Sequence, residues 1–130
     1  MKYIICAYRN YGIKLYDGLE KKFNFTLIRS KKDLTYNSIQ KINPSIIFFP
    51  DWSWKVPEKI VKNFKCVCFH EAPLPKFRGG SPLQNQIIRG KTKTKTTAFI
   101  MNEEIDAGNI ILQKDLSLEG SIQEIYSRMY

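Results

Sequence analysis

The sequence predicts an α/β, Rossmann-like fold in which a mostly parallel sheet of about six strands carries helices on both faces. Short apolar runs alternate along the chain with segments whose apolar residues follow helical spacing, a pattern typical of βαβ units. Two of the runs, 45–49 and 66–69, are almost entirely apolar, as in strands that are buried on both faces. With 130 residues and 43% apolar residues, the chain fits one domain spanning 1–130.

The predicted elements follow from these patterns and from the residues that begin and end helices. Pro57 suits the first turn of the third helix, Gly90 ends the fourth, and Ser121 with Glu124 forms a capping box at the start of the fifth. The second helix could begin within 36–38, since those residues are poor helix formers. The predicted strands are 2–7, 25–28, 45–49, 66–69, 94–101 and 109–113, and the predicted helices are 13–23, 33–42, 57–64, 82–89 and 121–130.

The only histidine of the chain lies where a predicted strand gives way to a stiff loop. His70 follows the apolar run 66–69, and the loop after it contains two prolines, which keep the backbone extended, and two glycines, which permit a sharp turn. Ser81 and Pro82 then suit the start of a helix. Since ligands of open α/β sheets bind at the carboxyl ends of strands, this loop is the first candidate for a functional site.

The residues of this loop resemble the active-site loop of the folate-dependent formyltransferases. The shared pattern is His70, two residues, Pro73-Leu74-Pro75, one residue, Phe77-Arg78-Gly79-Gly80, one residue and Pro82. A second segment, 101–110, is similar to a later family segment that ends in Asp-x-Gly-x-Ile, and its aspartate is Asp106. The separation between His70 and Asp106 fits the family's spacing. The resemblance is clear from about residue 45 onward.

The resemblance implies transfer of a formyl group from N10-formyltetrahydrofolate to a primary amine. In this interpretation His70 acts as general base or stabilises the tetrahedral intermediate, and Asp106 orients His70. The basic surface and the sequence 78–85 favour, as acceptor, the amine of a nucleotide-linked amino sugar of surface polysaccharide biosynthesis. The residues expected to bind the folate are Trp52, Trp54, Pro75, Arg78, Gly79 and Gly80. The two tryptophans could equally form a hydrophobic lid on the sheet edge, and Arg78 could equally cap backbone carbonyl groups.

Cys68 departs from the family pattern, which has asparagine two residues before the histidine. A thiol is a weak hydrogen-bond donor, and loss of one oxyanion donor costs about 2.7–4 kcal/mol in well-studied hydrolases. Gln84, Asn85 or the N-terminus of the helix 82–89 could supply the missing donor. Cys68 therefore joins His70 and Asp106 as a candidate catalytic residue.

The run Cys66-x-Cys68-x-His70 permits other interpretations. Its three side chains point to one face of the strand and could ligate a metal, but zinc sites space their ligands more widely and need a fourth, so no metal is expected. Cys68 could instead act as a nucleophile beside His70, or the thiols could be buried and inert.

The alternative to an enzyme is a non-catalytic or degenerate formyltransferase-like module. Such a module would bind folate or a nucleotide sugar, or it would be a fragment of a larger enzyme. Cys68 supports this alternative, and so does the last predicted helix, which has no end signal and suggests truncation at the C-terminus.

The formal net charge of +9 admits either a nucleic acid or a phosphate-bearing small molecule as partner. The lysines are dispersed along the chain, and the chain is too short for the family's additional tRNA-binding domain. We therefore expect a small-molecule acceptor and do not favour a nucleic acid. The loop 9–12, between the first strand and the first helix, is a second candidate anion site.

The sequence also indicates a compartment. No apolar stretch approaches the roughly 20 residues that cross a bilayer. The three cysteines are odd in number and lie in strand-like runs, which favours reduced thiols. We expect a cytoplasmic protein with no membrane partner, for which a homodimer is allowed.

Overall fold

The computed structural model describes residues 1–70, 82–101, 110–121, 124 and 125. The described elements are β1 (Tyr3–Ala7), α1 (Asn10–Leu19), β2 (Phe25–Ile28), a 3₁₀ helix (Lys31–Asp33), α2 (Tyr36–Ile42), β3 (Ile46–Asp51), α3 (Glu58–Asn63), β4 (Cys66–His70), α4 (Pro82–Ile88), β5 (Lys93–Ile100) and β6 (Ile110–Ser117). The strands form one sheet in the order β2-β1-β3-β4-β5-β6. The predicted α/β fold with a sheet of about six strands is confirmed.

The chain divides into two compact units, Met1–Cys68 and Phe69–Tyr130. In the first unit, β2, β1, β3 and β4 pair in parallel. Ile4 is opposite Ile47, which is opposite Cys66, so these three side chains share one side of the sheet, and each is at most 1% exposed. Ile5 and Val67 project to the other side and are at most 4% exposed, so the first unit is buried on both sides of its sheet.

Helices cover both faces of this parallel sheet. The Sγ atom of Cys66 lies 4.0 Å from the carbonyl oxygen of Ile60, so α3 covers the side that carries Cys66. In the strand order, the connection through α1 leads from β1 to β2, towards one edge of the sheet. The connection through α2 leads from β2 past β1 to β3, in the opposite direction. Because such crossovers are right-handed, α1 lies on the face opposite α2 and α3.

The first helix begins and ends earlier than predicted. It was expected over 13–23 and runs from Asn10 to Leu19. Arg9 is extended and accepts, through its carbonyl oxygen, the first helical hydrogen bond, from the N–H of Ile13. Phe23, whose spacing suggested helix, lies in the turn before β2 and is 52% exposed.

The second helix is shorter than the predicted 33–42, because its N-cap is Thr35. The hydroxyl oxygen of Thr35 accepts a hydrogen bond from the N–H of Ser38 at 3.2 Å, which satisfies one of the free amides of the first turn. The residues before it form the separate 3₁₀ helix. Asn43, with φ of 53°, ends α2 in a left-handed conformation.

Strands β3 and β4 both extend beyond their predicted ends. The sequence placed Pro50 and Asp51 in a loop, but β3 includes both, because the register shifts after Ile5 and Ala7 then pairs with Asp51. Strand β4 includes His70, one residue beyond the prediction. The carboxyl end of β4 therefore lies at the histidine itself.

In the second unit, β5 and β6 are antiparallel, with Lys93 opposite Ser117. Strand β6 runs to Ser117, four residues past the predicted 109–113, because its polar residues continue to pair with β5; Lys95 and Asp115 form a salt bridge of 3.1 Å. Gly90, with φ of 79°, follows the last turn of α4 as predicted.

The predicted capping box after β6 is confirmed. The N–H of Glu124 donates to the hydroxyl of Ser121 at 3.2 Å, and the Glu124 carboxylate accepts from the Ser121 N–H at 3.3 Å. Ile125 in this turn is 1% exposed and packs with Leu116 and Leu118. Among the described residues, no helix is both long and apolar enough to cross a membrane.

Candidate active site

The carboxyl ends of β1 and β3 meet at one edge of the first unit. Ala7 and Asp51, the last residues of these parallel strands, are paired. The residues that follow them, Tyr8 and Trp52, therefore start side by side. This is the edge at which open α/β sheets bind ligands.

Three aromatic side chains at this edge, Tyr8, Trp52 and Trp54, form an aromatic cluster. The ring centroids of Tyr8 and Trp54 are 4.4 Å apart, with planes tilted by 35°. Trp52 meets the other two edge-on, at 6.2 Å from Tyr8 and 4.9 Å from Trp54. The hydroxyl groups of Tyr8 and Ser53 are hydrogen-bonded at 2.6 Å. These contacts fix the two indoles in place.

Within the described part of the chain, the indole N–H of Trp52 lacks an acceptor. Its Nε1 atom is shielded from solvent and has no hydrogen-bond partner among the described residues. A buried N–H without an acceptor costs roughly 1–3 kcal/mol, so native structures rarely leave one unpaired. Phe49, which is 2% exposed, packs near this ring, with its centroid 6.2 Å from that of Trp52.

Positive charge lies beside the cluster. The guanidinium carbon of Arg9 is 4.7 Å from the centroid of the Tyr8 ring, within the range of a cation–π interaction. Arg9 is exposed, and so is Lys55, which follows Trp54 in the chain. The described part of this edge therefore combines aromatic rings with the cation of Arg9.

Cys68 reaches the same edge on the neighbouring strand. It is opposite Phe49, so both side chains lie on the side of the sheet that carries Cys66. Cys68 is half-buried, whereas Cys6 and Cys66 are buried. Phe49 is thus a neighbour of both Cys68 and Trp52.

The two buried thiols are protonated at neutral pH. Burial raises the pKa of Cys66 to about 12, and burial together with the nearby Cys66 raises the pKa of Cys6 well above its ordinary value. A thiol acts as a nucleophile only as thiolate, so these two side chains are packing residues. Cys68, with its greater exposure, differs from both.

His70 is the last residue of β4 and is 5% exposed. Alternation along the strand places it on the same side of β4 as Cys68. The histidine thus ends a strand at the carboxyl edge, as the sequence indicated. Among the described residues, no group of three or more His, Cys, Asp or Glu side chains is arranged to hold a metal ion.

The other predicted site residues lie outside the described residues. These are Asp106 of the second sequence block and the loop positions Pro75, Arg78, Gly79 and Gly80. Their roles stay predictions. Of the alternatives to Cys68, Asn85 is exposed on α4.

The sequence had singled out Trp52 and Trp54 but not Tyr8. A signal was present, since an aromatic residue directly follows an apolar strand at the edge where ligands bind. The sequence could not reveal that residues 8 and 52–54 touch, because that contact depends on the pairing of Ala7 with Asp51.

Comparison with known proteins gives the site a context. A family model described as "Formyl transferase" matches residues 19–129. The methionyl-tRNA formyltransferase of Rickettsia prowazekii (strain Madrid E) is 37% identical over 94 residues, which are 71% of this chain and 31% of that relative. This chain thus spans about a third of the length of the curated relatives that it matches.

Solved structures extend the comparison to nearly the whole chain. A methionyl-tRNA formyltransferase from Clostridium thermocellum superimposes with a TM-score of 0.95 and 44% identity, covering 99% of this chain and 59% of that one. The formyltransferase PseJ from Anoxybacillus kamchatkensis has a TM-score of 0.78 and 21% identity, covering 99% of this chain and 68% of that one. The latter likeness is one of fold.

Proposed function

The chain belongs to the formyl transferase family, and we propose that it transfers a formyl group from N10-formyltetrahydrofolate to a primary amine. The observation that carries this proposal is the position of His70, buried at the carboxyl end of β4 within the family's loop motif. A neutral imidazole there can take the proton that the amine loses as it attacks the formyl carbon.

Asp106 is proposed to orient His70. A carboxylate that accepts the imidazole N–H fixes the tautomer and stabilises the imidazolium that forms. Cys68, near the reacting carbonyl, is a weaker donor than the asparagine of the family. The proposal therefore includes a slow chemical step, unless an amide of α4 or its N-terminus supplies the donor.

The folate is proposed to bind against Trp52 and Trp54, and the motif residues Pro75, Arg78, Gly79 and Gly80 are proposed to contribute to its binding. The unpaired Nε1 donor of Trp52 supports this assignment, since a pterin ring carries acceptor atoms at its edge.

The acceptor is proposed to be the amine of a nucleotide-linked amino sugar. The net charge of +9 suits a diphosphate. The structure of PseJ was determined with UDP-4,6-dideoxy-4-formamido-L-AltNAc and tetrahydrofolate. Methionyl-tRNA is the second candidate, because the curated relatives with 30–37% identity are methionyl-tRNA formyltransferases.

An assay of formyl transfer with both acceptor classes tests the proposal. The full chain is incubated with N10-formyltetrahydrofolate and either UDP-linked 4-amino sugars or methionyl-tRNA, and the N-formyl products are separated by chromatography. Formylation of an amino sugar, lost in Asp106→Asn, is the expected result. Formylation of methionyl-tRNA alone would show that the acceptor is the second candidate, methionyl-tRNA, and not an amino sugar.

The Cys68→Asn variant separates a slow enzyme from a non-catalytic module. A restored oxyanion donor should raise the rate of a live site about tenfold or more. If neither the natural chain nor Cys68→Asn forms any product while both bind folate, the chain is a binding module.

A further inference from the structure

Tyr8 joins the segments that follow β1 and β3. It comes directly after β1, and its hydroxyl group forms a hydrogen bond of 2.6 Å with that of Ser53, two residues after the end of β3. The two residues are 45 positions apart in the chain and meet because Ala7 pairs with Asp51. Tyr8 thus ties together two segments at the carboxyl edge of the first unit.

The ring of Tyr8 contacts both tryptophans of the aromatic cluster. Its centroid is 4.4 Å from that of Trp54 and 6.2 Å from that of Trp52, and the Trp52 ring meets it edge-on. The indole N–H of Trp52 has no acceptor in the described part of the chain. The orientation of that indole therefore depends on ring packing, to which Tyr8 contributes together with Trp54 and Phe49.

Side chains that are already ordered favour binding. A side chain that must be immobilised by the ligand weakens the affinity by about two- to tenfold. Tyr8 packs against two large side chains, Trp52 and Trp54, and so reduces this loss at both. It can have this effect without touching the ligand.

We propose that Tyr8 is a positioning residue of the donor site, which holds Trp52 and Trp54 in the orientation that binds the folate. This role rests on the proposed function, because the folate site at the two tryptophans is part of that proposal. The segment that matches the family model begins at residue 19, so it does not include Tyr8. Tyr8 is therefore a feature of this chain that the family motif does not supply.

Calorimetric titration of the full chain with 5-formyltetrahydrofolate tests this role. Tyr8→Leu keeps an apolar side chain and removes the ring and its hydroxyl, so the dissociation constant should rise about tenfold or more. Tyr3→Leu is the matched control, since Tyr3 lies at the other end of β1, is half-buried like Tyr8 and packs near two rings, Phe25 and Phe48. It should leave the dissociation constant unchanged.

The same titration separates positioning from a contribution to stability alone. If Tyr8 only stabilised the fold, Tyr8→Leu would lower the stoichiometry of binding and leave the dissociation constant of the folded chain as it was. Urea denaturation establishes that each variant is folded under the conditions of the titration. A raised dissociation constant at full stoichiometry is the result that we expect.

The hydrogen bond between Tyr8 and Ser53 is tested by a double-mutant cycle. Tyr8→Phe and Ser53→Ala remove the same hydrogen bond from its two ends. Each should raise the dissociation constant about threefold, and the double variant should bind no more weakly than either single variant. Additive effects, or no effect of either substitution, would show that this hydrogen bond does not hold the site.

Time-resolved fluorescence anisotropy measures the positioning without a ligand, because the chain has two tryptophans and both belong to the cluster. Tyr8→Leu should add nanosecond motion of the indoles that the natural chain and Tyr3→Leu lack. Indoles that stay as rigid in Tyr8→Leu as in the natural chain would contradict the positioning role.

The outcomes distinguish this role from the proposed function. An unchanged dissociation constant in folded Tyr8→Leu, or an equal rise in Tyr3→Leu, would overturn the role of Tyr8 and leave formyl transfer as proposed. No folate binding by the natural chain would overturn the proposed donor site, and with it the role of Tyr8 in donor binding.

Discussion

Two groups of three or more aromatic rings in the described part of the first unit have different surroundings. The aromatic cluster follows the carboxyl ends of β1 and β3. A second group, the aromatic row, consists of Tyr3, Phe23, Phe25 and Phe48, with neighbouring centroids 5.2–6.2 Å apart. The row begins at the amino ends of β1 and β2.

The two groups differ in their polar atoms. In the row, the hydroxyl of Tyr3 donates to the sulfur of Met1 at 3.3 Å, and the other rings are phenyl groups. In the cluster, the Nε1 donor of Trp52 is unpaired among the described residues, and Arg9 lies over Tyr8. Aromatic packing alone thus does not mark a site. The cluster, which has these two features at the carboxyl edge, is the proposed ligand site, and the row is not.

The largest expected effect is at the carboxyl end of β4. His70→Asn should lower kcat for formyl transfer by about 10²–10⁴-fold, because the amide cannot accept the amine proton at neutral pH. Folate affinity, measured by calorimetry, should change little. A rate within threefold of the natural chain, in a protein with an unchanged circular dichroism spectrum, would remove His70 from the mechanism.

At the aromatic row, a substitution should alter stability and leave ligand binding intact. Phe25 is half-buried among three other rings, so Phe25→Ala should lower the free energy of unfolding by about 2 kcal/mol, less than the cost at a fully buried ring. Urea denaturation measures this. A loss of folate affinity in the folded variant would contradict the proposal that the cluster, and not the row, binds the ligand.

Because two thiols are buried, we expect the free energy of unfolding to decrease at alkaline pH. Burial raises the pKa of Cys66 to about 12 in the folded chain, above the value near 8.5 for an unfolded cysteine. Above about pH 8.5 the thiol therefore stays protonated in the folded chain and is deprotonated in the unfolded chain. The free energy of unfolding should then fall as pH rises, by up to about 1.4 kcal/mol per pH unit for each thiol.

Urea denaturation between pH 7.5 and 10 checks this slope. Cys66→Ala should be less stable at pH 7.5 but should show a shallower fall with pH. Cys6 contributes in the same direction, since its pKa is also raised. Equal slopes for the natural chain and Cys66→Ala would show that other groups cause the decline.

The smallest expected effect is at the unpaired donor. Trp52→Phe keeps an aromatic ring and removes the N–H, so folate affinity should fall about 2- to 10-fold. The free energy of unfolding without ligand should fall by less than about 1 kcal/mol, since the lost donor has no described partner. Calorimetry and urea denaturation give the two values. A stability loss with unchanged affinity would make Trp52 a packing residue.

Much of the fold was accessible from sequence because the apolar runs are strongly patterned. The strand 25–28 was predicted with its observed bounds, and the continuous runs of β3 and β4 identified the parallel sheet. Helix ends were less predictable, because they depend on single backbone contacts such as the Thr35 cap. The extension of β3 through Pro50 needed the register shift against β1, which no local pattern encodes.

The site was predictable in part. The position of His70 at a strand end could be predicted because the apolar run of a strand stops where a proline-containing loop begins. Both patterns lie within a few residues of His70 in the sequence. The contact of Tyr8 with Trp54, in contrast, joins residues far apart in the chain and follows only from the sheet register. The roles of Asp106, Pro75, Arg78, Gly79 and Gly80 come from the family motif, and these residues lie outside the described part of the chain.

Calorimetric titration with 5-formyltetrahydrofolate, a stable analogue of the formyl donor, is the decisive test of folate binding at the cluster. The natural chain is compared with Trp52→Leu in the cluster and Phe25→Leu in the row. We expect a dissociation constant of about 1 μM, a loss of about tenfold or more in Trp52→Leu, and an unchanged value in Phe25→Leu. Absence of binding in the folded natural chain, or equal weakening by both substitutions, would contradict it.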